Sequence, residues 1–186
     1  ALYANLAELS ASAGFVVLAG KLSVGLPGAT LVNEARTKFS AFLALENLSP
    51  IVLTGSTSAN QTLLDNSIGD LHSSLYGLWD SDRSLSAADR AAGKARFSDA
   101  WLAERTAMLL HLIARNESDI DFVVGMAPGV VYRDLASELT LANVVSPNFA
   151  TSQQIVFGRN DNGDSVESVS GGVLADRLYG GAGNDR

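Results

Sequence analysis

The sequence predicts a mainly α fold with a short β segment, an α+β arrangement, leading into a repetitive tail. Three observations carry this prediction. Apolar residues recur at helical spacing up to about residue 117. Beyond Asn116 the pattern shortens into β-branched and aromatic runs separated by Pro, Gly, Asn and Ser. From about residue 159 the composition turns to Gly and Asp in steps of nine. The expected organisation is a helical body at 1–117, a mixed β or linker segment at 118–158, and repeats at 159–186. With 186 residues, 47% of them hydrophobic, the chain can bury a core of one domain, or of one domain plus an appendage.

Taken in order, ALYANLAELSASA (1–13) places Leu2, Leu6 and Leu9 at helical spacing and stops at Gly14. FVVL (15–18) reads as a short buried strand and GLPG (25–28) as a turn. Residues 31–46 fit one helix, with Leu31, Val32, Ala35, Phe39, Phe42 and Leu43 on a face and Ser49-Pro50 closing it. Ser58-Ala-Asn-Gln61 reads as a capping box. It opens a helix whose stripe runs through Leu64, Ile68, Leu71, Leu75 and Leu78, with Gly69 and Gly77 as costs within it. DSDRS (80–84) is expected as a loop, and Ser86-Ala-Ala-Asp89 as the start of a short polar helix. Ser98 should cap a further helix that points Trp101, Leu102, Met108, Leu109, Leu112 and Ile113 inward and stops at Asn116. IDFVV (120–124), GVVY (129–132), LTLA (139–142) and QQIVFG (153–158) are expected strands.

The net charge of −7 and a pI near 4.7 exclude the clustered basic surface that a nucleic acid needs. An acidic balance suits divalent cations instead. The most apolar stretch, Gly14 to Val32, carries Lys21, Pro27 and four glycines, so no transmembrane segment is expected. Without cysteine there is neither a disulfide nor a thiolate metal site. The chain opens at Ala1 inside an expected helix and stops at Arg186 partway through a repeat, which reads as a piece of a longer protein.

Cut into nines, the tail reads NGDSVESVS (162–170), GGVLADRLY (171–179) and GGAGNDR (180–186). The pattern G-G-x-G-x-D-x-U-x, with U a large apolar residue, is the nonapeptide of calcium-binding β-helices. The second unit keeps Gly171, Gly172, Asp176 and Leu178, with Leu174 in place of the third glycine. The third keeps Gly180, Gly181, Gly183 and Asp185. The first is degenerate, with Gly163, Glu167 in the acidic slot and Val169 in the apolar one. Glycines allow tight turns that aim backbone carbonyls at one point, and the carboxylate adds the charged oxygen that Ca²⁺ prefers. The apolar residue begins a short strand.

These nonapeptides resemble those of the RTX (repeats-in-toxin) proteins, haemolysin-type calcium-binding bacterial exoproteins that include toxins, proteases, lipases and adhesins. The motif match covers about the last 25 residues. The segment before it, ending in QQIVFG, also resembles the region ahead of the repeats in RTX lipase-like proteins. The resemblance implies the start of an RTX parallel β-roll, Ca²⁺ as the bound ion, and export by type I secretion machinery to the outside of a bacterial cell. In such a roll two nonapeptides make one turn. Loops 162–167 and 180–185 would then stack, placing Glu167 and Asp185 around one ion, while Asp176 faces the other side.

No catalytic constellation is legible in the chain. There is no G-x-S-x-G elbow, no cysteine and no H-E-x-x-H zinc motif. His72 and His111 fit boundary or surface positions on their helices. Asp80, Asp82 and Ser84 match the first ligand positions of an EF-hand, but Leu85 and Ala91 stand where Gly and Glu are needed. The expected role is that of a segment joining and capping a calcium-dependent β-roll in a secreted protein. The alternatives are the distal, non-catalytic part of a secreted lipase-like hydrolase whose active site lies upstream, and an adhesin or interaction module.

Overall fold

A computed structural model of the chain describes residues 19–24, 28–118, 129–142, 151–159 and 169–181. Helical spacing up to residue 118 and β-branched runs after it produce a mixed α/β protein. The described residues form six helices, a two-stranded ladder and a four-stranded sheet. They divide into two compact units, Ala1–Ala87 and Ala88–Arg186. None of the described helices is long and apolar enough to cross a membrane. The expected helix at 1–13 and the expected strands at 15–18 and 120–124 lie outside the described residues.

In the first unit, β1 (Ala19–Val24) pairs antiparallel with β2 (Ile51–Gly55), with Val24 opposite Ile51. The expected single helix at 31–46 is two, α1 (Gly28–Thr37) and α2 (Phe39–Glu46), broken at Lys38, which is extended at φ −126° and ψ 120°. A break strands the N–H groups of the new first turn. The Asp65 carboxylate accepts one of them, that of Ser40, at 2.9 Å, with both groups buried. The end of α2 is a Schellman motif. Leu48 N–H donates to the Leu45 carbonyl at 3.1 Å and Ser49 N–H to that of Ala44 at 2.8 Å, while Leu48 takes the left-handed conformation at φ 48°.

The apolar stripe at 58–78 is also interrupted. Helix α3 (Ser58–Leu71) ends at His72, and α4 (Ser73–Arg83) begins anew, leaving Leu71 82% exposed. The N-cap is Thr57, one residue before the expected Ser58, and its hydroxyl accepts the Asn60 N–H at 3.1 Å. Gly69, expected as a cost, is where Tyr76 packs: a Cβ there would lie 2.7 Å from the Tyr76 ring. Asp80–Arg83, expected as loop, are the last turn of α4, so Asp80 and Asp82 do not begin an ion-binding loop. Trp79 is core. It is 3% exposed, donates its indole N–H to the Ala35 carbonyl at 2.9 Å, and packs with Phe39, Phe42 and Tyr76.

A short polar helix, α5 (Ala87–Ala91), starts at the last residue of the first unit and leads into the second. Ser98 then accepts the Trp101 N–H at 3.2 Å and opens α6 (Asp99–Ser118), which runs past the expected stop at Asn116. Strands β3 (Val130–Asp134), β4 (Leu139–Ala142) and β5 (Gln153–Phe157) fall on three of the expected runs, and β6 (Arg177–Tyr179) lies in the tail. The order is β4-β3-β5-β6. A β3–β4 hairpin is antiparallel, while β5 lies parallel to β3 and β6 parallel to β5. One row across the parallel strands runs Asp134, Phe157, Tyr179 and the next but one Tyr132, Ile155, Arg177. Trp101, Arg105 and Glu104 of α6 meet that face.

Candidate functional site

The repeat at 171–179 is attached to the sheet through its acidic residue. Arg177, Leu178 and Tyr179 stand opposite Ile155, Val156 and Phe157, and Gly158 N–H donates to the Tyr179 carbonyl at 2.7 Å. Just before the strand, Asp176 Oδ1 accepts the backbone N–H of Gln154 at 2.7 Å. Its Oδ2 accepts the backbone N–H of Gly172. One carboxylate thus closes its own loop and ties that loop to β5. Gln153 adds a bond from its side-chain amide to the Ala175 carbonyl at 2.8 Å.

The glycines serve this arrangement unequally. A Cβ on Gly171 would lie 2.1 Å from Asp176 Oδ2 and 2.8 Å from the Asp176 Cβ, so only glycine leaves the carboxylate its place. The sequence predicts glycines here for tight turns, but at 171 the reason is room. Gly181, with φ +87°, fits the turn reading, and Gly180 follows β6 directly. Gly172 supplies the N–H that Asp176 holds. Gly163, Glu167, Gly183 and Asp185 lie outside the described residues, as does the expected Glu167–Asp185 pair.

The loop's donor set is unlike that of a calcium site. Both Asp176 oxygens face N–H groups, whose dipoles repel a cation. Beside the loop, an open recess of about 630 Å³ is lined by Arg133, Thr140, Gln154 and residues 170–173, with a guanidinium and no carboxylate. Among the described residues no group of three or more His, Asp or Glu could hold a metal. Residues 171–181 by themselves do not fit a calcium ion.

A second polar cluster ties β6 to α6. Glu104 pairs through Oε1 with Arg177, and its Oε2 accepts the Tyr132 hydroxyl at 3.1 Å. The His111 ring lies 6.0 Å from that of Tyr132. Burial holds the His111 pKa below 6.5, favouring the neutral imidazole. Burial also raises the Tyr132 pKa above 10, and a charge on Tyr179 would raise it further. The Tyr179 pKa is raised by burial, against the opposing pull of Arg177. The cluster joins β3 and β6 to α6. His72, between α3 and α4, is exposed, as expected of a boundary residue.

Sequence spacing singles out Asp176 but neither Gln153, Gln154 nor Glu104. Their partners stand 22 residues or more away, and no local pattern marks such a pairing. No protein-family model, curated protein or solved structure matches the chain.

Proposed function

We propose that this chain is the joining and capping segment of a calcium-dependent β-roll in a secreted bacterial protein of the RTX type. The observation that supports the reading is the continuity of the sheet into the tail. Residue 153 pairs with 130 and 177 with 155, so β3, β5 and β6 are parallel strands at offsets of 23 and 22 residues. The last of them is the apolar slot of the nonapeptide at 171–179. The end of a stacked array exposes apolar surface unless something covers it. A sheet whose strands run parallel to the first repeat strand supplies that cover, while Arg105 and Trp101 of α6 pack on β3 and β5 of the same sheet. On this reading calcium is bound by Glu167, Asp185 and the glycine turns around them, and the protein reaches the cell exterior by type I secretion.

The test is a calorimetric calcium titration of the chain extended by several nonapeptides, together with melting curves with and without calcium. Binding and a raised Tm are expected, both reduced by Glu167→Ala and by Asp185→Ala. Absence of binding heat and an unchanged Tm would remove the reading.

A further inference from the structure

We infer that the repeat at 171–179 folds and docks without calcium, with Asp176 as a clasp on the backbone, and forms the fixed layer from which a calcium-dependent roll extends. The layering part of this inference rests on the function proposed above. The clasp stands on geometry alone.

A calcium-dependent loop is one whose carboxylates repel each other or stay unsatisfied until a cation arrives. The loop before β6 is built otherwise. Asp176 is satisfied by two backbone donors, Gly172 N–H within its own loop and Gln154 N–H on the neighbouring strand. Charged acceptors on backbone N–H groups form strong hydrogen bonds. Gly171 keeps the space that this carboxylate occupies.

The rest of the repeat is held by the protein as well. Gln153 fixes the Ala175 carbonyl, Arg177 pairs with Glu104, and the Tyr179 ring stacks on Phe157 at 5.3 Å and 10°. Every one of these partners belongs to β5 or α6. The assignment also separates two aspartates that look alike in sequence. Asp176 precedes a strand paired to the sheet, and its carboxylate accepts the Gln154 N–H of the neighbouring strand.

The experiment is amide hydrogen exchange on the whole chain, in chelator and in calcium. Reporters are the amides of Gln154, Gly172 and Gly158, the last being the donor to Tyr179. Protection along α6 serves as the control for an intact fold. All three reporters are expected to be protected in chelator, and calcium should not change them. Asp176→Ala should lower protection at Gln154 and Gly172 by about ten- to a hundred-fold while α6 stays protected. Gly171→Ala keeps the acid but displaces it, and should act on the same two amides.

Reporters that are unprotected in chelator and become protected with calcium would overturn the inference and leave the calcium reading standing. Unchanged exchange in both variants would overturn the clasp. Protected reporters in a chain whose extended form binds no calcium would keep the clasp and remove the layering role together with the proposed function.

Discussion

Arg105 and Asp134 meet at 3.0 Å in the interior of the second unit, where their side chains are 2% and 3% exposed. Arg105 comes from the middle of α6 and Asp134 from the end of β3, so the pair joins the helix to the sheet. The Phe157 ring lies 4.8 Å from the guanidinium carbon and adds a cation–π contact. Asp134 Oδ2 is occupied separately, by the backbone N–H of Ser137 at 3.3 Å and by the Ser137 hydroxyl. The two charges stabilise each other at a depth where neither could remain alone.

Removing one member should therefore cost far more than removing both. Asp134→Ala is expected to destabilise the second unit by roughly 3–5 kcal/mol, because a buried guanidinium is left uncompensated. The double variant Arg105→Met/Asp134→Leu should recover most of that loss. Denaturant unfolding of the three proteins measures both values, and a single-variant loss below about 1 kcal/mol would contradict the desolvated pairing.

Gln61 holds an equivalent place in the first unit. Its Oε1 accepts the Gly55 N–H at 2.8 Å, and its Nε2 donates to Ser40 Oγ and Asp65 Oδ1, each at 3.0 Å. Gln61→Leu keeps the volume but strands these groups, at an expected cost of about 1–3 kcal/mol. A melting curve close to that of the original chain would show that water reaches the cluster.

Glu138, exposed in the β3–β4 turn, has φ 57°, a region that disfavours residues with a Cβ. Glu138→Gly should relieve that strain and raise stability by about 0.5–1 kcal/mol, net of the entropy glycine loses on folding. The denaturation midpoint is the readout, and a decrease would place the strain elsewhere.

The pH dependence follows from His111 and the two tyrosines. A His111 pKa lowered by burial means that the folded state disfavours the imidazolium. Its contribution to stability is complete above pH 6.5 and is lost as pH falls through the lower, folded value. His111→Gln should flatten the fall in Tm on the acid side, and an NMR titration should place His111 below 6.5. Tyr132 and Tyr179 shift the other way. Their contribution is complete below pH 10 and is lost as pH rises through their folded values. Arg177→Met should move Tyr179 still higher in an ultraviolet titration, since it removes the opposing cation.

Much of the second unit was legible in the sequence because its signals are local. LTLA and QQIVF announce strands by their own side chains, Ser98 marks its helix start, and Trp101 is core by spacing. The helix breaks were not legible. The stripe from Phe39 to Phe42 continues that of α1 without a turn signal at Lys38, and Ser40 N–H turns to an Asp65 that is distant in sequence. The break at His72 likewise depends on Tyr76 folding back over Gly69. Strands β1 and β2 form against each other, each too short to carry a clear period of its own.

The acidic residue of the tail shows the division most plainly. By itself the sequence determines that Asp176 follows a double glycine and precedes an apolar strand position, because turn and strand propensities act between neighbours. Only the tertiary structure decides what the carboxylate faces. A carboxylate accepts equally from a cation or from N–H donors, and β5 brings the Gln154 N–H to 2.7 Å from it. At a spacing that suggests an ion site, the Asp176 carboxylate is bonded to the sheet.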